Sequence, residues 1–298
     1  MILLTGATGF LGSKLLKRLI AEKYEVVCVK RTTSDCDKVR ELYSCCKWIN
    51  IDEENVETAF QKYDIETVIH CATNYGRKRG TYLEVYESNL GFPLSLLKYA
   101  QQYGCRYFIN TDTFFVKEID VLWTNNEPVY MNDYVKSKYI FTNIVKDHIS
   151  EMNLSFINLQ LEHIYGQDDG AGKFVDYLIR NLSQNVTAIE LTEGVQQRDW
   201  TYIEDVLSAY KVVLEKQEDF QEGVFYHFEV GTGKATSLRE FVETVKKLAN
   251  STTKLEFGKR QMNANELEKS WADNRELCKL GWNPCYDIVR GIQQMLKR

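Results

Sequence analysis

The chain has 298 residues, 44% of them hydrophobic, with 37 basic and 42 acidic side chains giving a formal charge of −5. That length buries a large core and suits one α/β domain or a nucleotide-binding domain with a smaller lobe. The charges are interspersed, which excludes a broad basic field for nucleic acid or an anionic membrane; no apolar run reaches the roughly 18 residues of a membrane span, and Gly6 and Gly9 interrupt the start where a signal peptide would be apolar. A cytoplasmic protein with a small-molecule partner is expected.

Cysteine usage points the same way. Cys28, Cys71 and Cys105 fall in apolar, strand-like contexts and no C-x-x-C pair occurs among the eight cysteines, so free thiols are expected. The histidines His70, His148, His163 and His227 are scattered without zinc-ligand spacing, and no metal is expected.

The chain opens on the apolar run Met1-Ile2-Leu3-Leu4, followed at once by Thr5-Gly6-Ala7-Thr8-Gly9-Phe10-Leu11-Gly12. A strand turning sharply into a helix uses glycines at this spacing: the first for the tight turn, the second for close approach of a pyrophosphate to backbone N–H groups, the third for close helix–strand packing. An amphipathic segment (Leu11, Leu15, Leu16, Leu19, Ile20) and a second apolar run, Val26-Val27-Cys28-Val29, complete a βαβ unit. A dinucleotide is therefore expected at the N-terminus of the first helix, over Gly6, Thr8, Gly9, Phe10, Leu11 and Gly12.

The second strand runs out into Lys30-Arg31-Thr32-Thr33-Ser34. An NAD-preferring site places an acidic residue there, on the adenosine ribose, whereas two cations with hydroxyls attract a 2′-phosphate; Lys30 and Arg31 thus predict NADPH. Asp52, after the third strand, and Cys71, Ala72 and Thr73, after the fourth, are expected to complete the cofactor site.

Strand patterns recur at 2–5, 25–30, 48–51, 67–72, 106–110 and 155–161, with helical patterns between most of them. Alternation of this kind predicts an α/β fold with a Rossmann-type, doubly wound parallel sheet, whose strand C-terminal ends share one edge. Beyond residue 166 the pattern loosens into helices at 172–182, 204–216 and 237–249, strands at 186–191, 224–230 and 253–257, and short helices near 274–280 and 286–296. The expected division is 1–165 for the nucleotide domain and 166–298 for a smaller C-terminal α/β substrate lobe. Because 198–203 and 225–230 again read as sheet segments, the chain is expected to return to the first domain around 200–230.

Tyr134-Val135-Lys136-Ser137-Lys138 opens another helical segment, placing Tyr134 and Lys138 at i and i+4 on one face. The lysine ammonium then favours the phenolate and makes Tyr134 a candidate general acid; a ketone receiving hydride at carbon needs a proton at oxygen. Thr111 closes the buried run Tyr107-Phe108-Ile109-Asn110, at the edge where such a sheet presents functional groups, and its hydroxyl can orient a carbonyl.

Taken together, these features resemble the extended short-chain dehydrogenase/reductase superfamily, the nucleotide-sugar epimerases, dehydratases and reductases. The marks are Gly6/Gly9/Gly12, Asn89 within Glu87-Ser88-Asn89-Leu90-Gly91, Thr111, Tyr134/Lys138, Ile164-Tyr165-Gly166, Gln197-Arg198-Asp199-Trp200 and Leu280-Gly281-Trp282-Asn283-Pro284. The resemblance implies a catalytic set of Thr111, Tyr134 and Lys138, with Lys138 and Asn89 also serving the cofactor and Arg198 on a sugar-nucleotide diphosphate. It also implies pairing into a homodimer through helices around 83–103 and 134–150.

Within the superfamily, Asn74-Tyr75-Gly76-Arg77, Leu161-Glu162-His163-Ile164-Tyr165-Gly166, Gly194-Val195-Gln196-Gln197-Arg198-Asp199 and Asn265-Glu266-Leu267 resemble the CDP-paratose synthase branch, reductases of a CDP-linked 4-keto-3,6-dideoxy sugar. Tyr75, Arg77, Asp112, Thr113, His163, Lys173, Arg198 and Glu266 are the substrate-side candidates. His163 reads equally as a packed core residue, and Asp112 as a turn cap. Dehydratases of this superfamily carry Asp-Glu after the threonine; here the pair is Asp112-Thr113, and a hydroxyl cannot replace the carboxylate, so elimination is disfavoured. The expected activity is NADPH-dependent reduction of a nucleotide-linked 4-keto deoxy sugar. An epimerase with tightly bound NAD and a non-catalytic nucleotide sensor are the alternatives, and the face of hydride attack, the base and the deoxy pattern stay open.

Overall fold

The computed structural model describes residues 1–76, 81–117, 132–170, 172–262 and 267–297. It divides into two compact units, Met1–Gln160 with Leu214–Phe228, and Leu161–Val213 with Glu229–Arg298.

The first stretch carries β1 (Ile2–Thr5), α1 (Phe10–Ala21), β2 (Val26–Lys30), β3 (Lys47–Asn50), α2 (Glu57–Lys62), β4 (Thr67–His70), α3 (Tyr82–Tyr86), α4 (Phe92–Gln102), β5 (Tyr107–Thr113), α5 (Asp133–His148) and β6 (Ser155–Leu161). Next come β7 (His163–Tyr165), α6 (Phe174–Ser183), β8 (Ala188–Glu190), β9 (Gln197–Arg198), β10 (Trp200–Tyr202) and α7 (Ile203–Glu215). After them follow β11 (Phe225–Val230), β12 (Thr236–Ser237), α8 (Leu238–Leu248), β13 (Lys254–Glu256), α9 (Arg275–Lys279) and α10 (Ile288–Leu296).

The first unit is built on a seven-stranded sheet ordered β11-β6-β5-β4-β1-β2-β3. Neighbours from β3 to β5 run parallel, and β6 and β11 advance in the same sense, Phe156 bonding to the Val224 carbonyl and Glu162 to that of Val230. Such strands are buried on both faces, and β1, β4 and β6 are buried at every position. Helices cover them: α1 buries Leu11, Leu15, Leu16 and Leu19, one helical stripe, each such side chain contributing about 1.5–3 kcal/mol when fully buried. Asn132 starts α5 by accepting from the Val135 amide at 3.0 Å, with Asp133 in its first turn and Lys146 and His148 in its last, the charge order a helix dipole favours.

The register sets the functional edge. Thr5 lies beside His70 and His70 beside Asn110, so the next residues, Gly6, Cys71 and Thr111, stand at one level across three adjacent strands. The sheet order reverses between β1 and β4, the place where doubly wound sheets bind ligands.

In the second unit, β7 pairs in parallel with β10, β8 with β13, and β9 antiparallel with β12. Two buried carboxylates tie its loops. Asp199 accepts from the amides of Thr232, Gly233 and Ala272, and Asp205 from those of Cys285 and Tyr286. The Trp282 indole of the Leu-Gly-Trp-Asn-Pro segment donates to Ser208 at 2.8 Å and is buried, so that segment is a structural anchor.

The six early strands and the later helices fall where the sequence pattern places them, within a few residues. One expectation is corrected: of the two segments expected to rejoin the large sheet, only 225–230 does so. Trp200–Tyr202 is buried at all three positions but pairs with β7, because an apolar run identifies burial without identifying the partner strand.

Candidate dinucleotide and catalytic site

The glycine turn is built for a close backbone approach. Gly6 has φ +70, and a Cβ there would stand 2.7 Å from the Ala72 nitrogen. A Cβ on Gly12 would collide with the Gly6 carbonyl oxygen. Gly9, exposed, caps α1 without any side-chain hydrogen bond, leaving the first amides of the helix as an anion site. Thr8, Phe10, Leu11 and Gly12 follow in this turn, and Cys71, Ala72 and Thr73, all partly buried, leave β4 beside it. These residues fit a dinucleotide pyrophosphate: small where backbone must approach, with donors unpaired by side chains. The Thr5 hydroxyl contacts His70 Nδ1 at 2.8 Å and accepts from the Ala72 amide at 3.2 Å, fixing the two strand ends to each other.

At the far edge, Lys30 is half-buried and Arg31 exposed. The Thr32 amide donates to the Asp52 carboxylate at 2.8 Å, so Asp52 holds the same loop that carries the two cations.

Tyr134 and Lys138 are both buried on α5. The Lys138 ammonium donates to the Thr111 carbonyl at 2.7 Å, joining the helix to the end of β5. The Thr111 hydroxyl donates to Cys71 Sγ at 3.2 Å. The Tyr75 ring, exposed, packs 5.0 Å from the Tyr134 ring. Burial pushes Lys138 below the usual lysine range, opposed by the negative charge of Asp112 and then by Cys71. Asn89 is buried in a single π-helical turn, 87–91, between α3 and α4. Its amide donates to the Asn74 carbonyl at 2.9 Å and to Ser137 Oγ at 3.1 Å, while its oxygen accepts from the Asn74 amide. It thereby pins α5 to the chain leaving β4.

The substrate-side candidates divide. Asp112 is buried, one oxygen accepting from the Thr113 amide and the other from Asn158. Thr113 is buried, its hydroxyl accepting from the Phe115 amide. His163, Lys173 and Arg198 belong to the second unit, around Trp200: the His163 ring lies edge-on 4.6 Å from that indole, and Lys173 caps α6, whose Phe174 packs against it. Arg198 is buried, with one guanidinium nitrogen on the Gln197 carbonyl at 2.8 Å. Arg77 and Glu266 lie outside the described residues.

Sequence reasoning missed two polar residues in this neighbourhood, Asn158 and His227. Asn158 accepts from Asn110 at 2.7 Å, donates to Asp112 at 2.9 Å and contacts His227 Nδ1 at 3.2 Å. The available signal was Asn158 itself, a polar residue inside a strand buried at all seven positions. Among the described residues, no three His, Cys, Asp or Glu side chains group to hold a metal ion, and no helix is long and apolar enough to cross a membrane.

A glycine turn on a helix N-terminus at the switch point of a parallel sheet, with a buried Tyr-x-x-x-Lys helix against the next strand end, defines a Rossmann-type dinucleotide fold. The chain belongs to the NAD dependent epimerase/dehydratase family, whose model matches residues 2–231. It is 37% identical over 297 residues to a CDP-abequose synthase of Salmonella muenchen, covering 99% of this chain and 96% of that protein. A second CDP-abequose synthase, from Salmonella typhimurium, is 31% identical over 304 residues, covering 100% and 97%. Among solved structures, the UDP-glucose 4-epimerase of Thermotoga maritima with UDP-glucose superposes with a TM-score of 0.83 at 21% identity, covering 99% of this chain and 97% of that one, a likeness of fold.

Proposed function

We propose that this protein is an NADPH-dependent 4-ketoreductase of a CDP-linked 4-keto-3,6-dideoxy sugar, serving surface-polysaccharide sugar synthesis in the cytoplasm. The observation that carries the reading is the 2.7 Å bond from Lys138 to the Thr111 carbonyl, which fixes the tyrosine-bearing helix to β5 on the functional edge, with only β4 between it and the strand that leads into the glycine turn. Two relatives at 37% and 31% identity, each named CDP-abequose synthase, support CDP as the nucleotide and CDP-abequose as the first product to look for.

When bound, the dihydronicotinamide supplies hydride to C4 of the sugar. Tyr134 delivers the proton to the developing O4 alkoxide, so the C4=O bond becomes CH–OH. Lys138 lowers the cost of the tyrosinate left behind and holds the nicotinamide ribose. The Thr111 hydroxyl orients the carbonyl. Gly6, Gly9 and Gly12 admit the pyrophosphate, and Lys30 and Arg31 receive the 2′-phosphate, with Asp52 holding their loop. Arg198, Lys173 and His163 serve the nucleotide diphosphate and sugar, with Tyr75 beside Tyr134 on the sugar side; Arg77 and Glu266 are assigned the same role.

The test is a substrate panel. Offered CDP-, UDP-, GDP- and dTDP-linked 4-keto deoxy sugars with NADPH or NADH, the protein should turn over the CDP ketone with NADPH fastest, and Lys30→Ala with Arg31→Ala should erode the cofactor preference. Equal turnover with both cofactors, unchanged by the double substitution, contradicts the cofactor assignment. Interconversion of nucleotide sugars without NADPH loss marks an epimerase, and tight dinucleotide binding without any reaction marks a sensor.

A further inference from the structure

Asp112 is placed in an unusual position for a carboxylate. It is the last-but-one residue of β5, fully enclosed, with Oδ1 on the Thr113 amide at 2.8 Å and Oδ2 on Asn158 Nδ2 at 2.9 Å. Asn158 is held in turn from both sides, its oxygen by Asn110 at 2.7 Å and its nitrogen against His227 Nδ1 at 3.2 Å. The amide of Asn158 therefore has one workable orientation, nitrogen toward Asp112 and His227, oxygen toward Asn110. A chain of this kind fixes a carboxylate far more tightly than a turn requires.

By strand alternation Asp112 shares the face of β5 on which Phe108 packs 6.4 Å from Phe141 of α5, and Lys138, one turn before Phe141 on that helix, bonds to the carbonyl of Thr111, the residue before Asp112. An enclosed ammonium with no fixed anion loses its proton readily. The two groups behave accordingly: burial drives each toward its neutral form, and each pulls the other back toward its charged form. The remaining groups on this face cannot substitute for the carboxylate. Cys71 is a thiol at the end of β4, His70 is neutral through burial, and Tyr134 shares the helix as the proton donor. Asn89 and Ser137 carry no charge, Tyr86 meets Asp133 at the start of the helix, and His227 reaches Asp112 through Asn158.

We propose that Asp112, clamped by Asn158 and His227, is the positioning residue that serves as the fixed counter-ion of Lys138 and keeps that ammonium charged for the dinucleotide and for Tyr134. This builds on the assignment of Lys138 to the cofactor made above. It gives a role to a carboxylate that is buried and hydrogen-bonded within the fold through both of its oxygens.

The experiment reads NADPH and NADH affinity against pH, by fluorescence of the bound dihydronicotinamide, in wild type and Asp112→Asn, with thermal melting in the same buffers. Asparagine keeps the shape and the bond to the Thr113 amide but loses the charge and the bond from Asn158, a bond that Asn158→Ala removes by itself. Affinity that depends on a charged Lys138 falls on an alkaline limb, and in Asp112→Asn that limb should move down by about one pH unit or more, the effect of losing an opposite charge at close range. A limb unmoved in a folded Asp112→Asn protein overturns the proposal, as does a uniform loss of affinity at every pH, the signature of a purely structural role. Asn158→Ala frees the carboxylate without removing it and should shift the limb in the same direction by less; it carries the same reading should Asp112→Asn fail to fold. Ketone reduction is measured separately: a moving limb without any ketone reduction leaves Asp112 in this role and contradicts the reductase reading instead.

Discussion

At Tyr134 and Lys138 two properties coincide that a solvent-exposed helix pair lacks: both side chains are buried, and the lysine is bonded to the neighbouring strand end. Tyr134→Phe keeps the ring that packs on Tyr75 and removes only the acidic proton, so it should lower kcat by about two to four powers of ten while leaving dinucleotide affinity near wild type. Steady-state rates with a fluorescence titration check this, and near-normal turnover removes Tyr134 from the chemistry. His70 makes a second test, of stability. It is fully buried, and burial holds its pKa well below 6.5. The unfolded chain therefore binds a proton that the folded chain refuses, so stability contributed by neutral His70 is complete above about 6.5 and is lost as pH falls from there through the depressed folded value. Denaturant titrations should give a wild-type stability that declines on that acid side and a His70→Gln variant with a shallower decline; parallel curves contradict the account.

What the sequence makes legible at the site is local geometry. The glycine spacing and the Tyr-x-x-x-Lys spacing state their geometry within a few positions, whereas Asn158 and His227 acquire theirs only from the lateral order β11-β6-β5. Asp112 shows the same limit from the other side: its position near a strand end is legible in the sequence, whereas its bond from Asn158, 46 residues away, is not.

Among the elements, the βαβ start is the one in which sequence and structure agree most closely, because β1 and α1 are each defined by one apolar pattern and joined by a turn that only glycines permit. Gly12→Ala tests that junction. Its φ is ordinary, so the obstacle is space alone: the new methyl meets the Gly6 carbonyl, backbone against backbone, and α1 must shift. Overpacking of this kind costs about 1–3 kcal/mol, and because the shift moves the helix N-terminus, dinucleotide affinity should fall by at least about tenfold, equivalent to roughly 1.4 kcal/mol. Thermal melting and a binding titration measure both, and an unchanged affinity would show that the turn does not cradle the cofactor. The π-turn at 87–91 stayed hidden in the sequence, since one extra residue in a turn leaves the apolar periodicity on either side almost unaltered. It is nevertheless the element that sets Asn89 between Asn74 and Ser137. The short pairs β7–β10 and β9–β12 were equally hidden, being too brief to carry an alternation.

Across the whole chain, the large sheet is assembled from Met1–Gln160 and completed by Leu214–Phe228, so the Asn158–His227 contact closes only when chain far apart in sequence is brought together. Within the second unit His163 and Phe174 pack on Trp200, and the buried Asp199 and Asp205 bind loops that the sequence pattern leaves unconnected. Family membership accounts for the fold and the dinucleotide turn, but it spans epimerases, dehydratases and reductases alike, which differ in where the hydride ends. The fate of the hydride is therefore the most direct test. With NADPH carrying deuterium at both hydrogens of C4 of the dihydronicotinamide and a CDP-linked 4-keto-3,6-dideoxy sugar, the account predicts about one NADP+ formed per ketone consumed and one deuterium at C4 of the CDP-sugar product. Product formed without deuterium at C4, or without net oxidation of the dinucleotide, would contradict it.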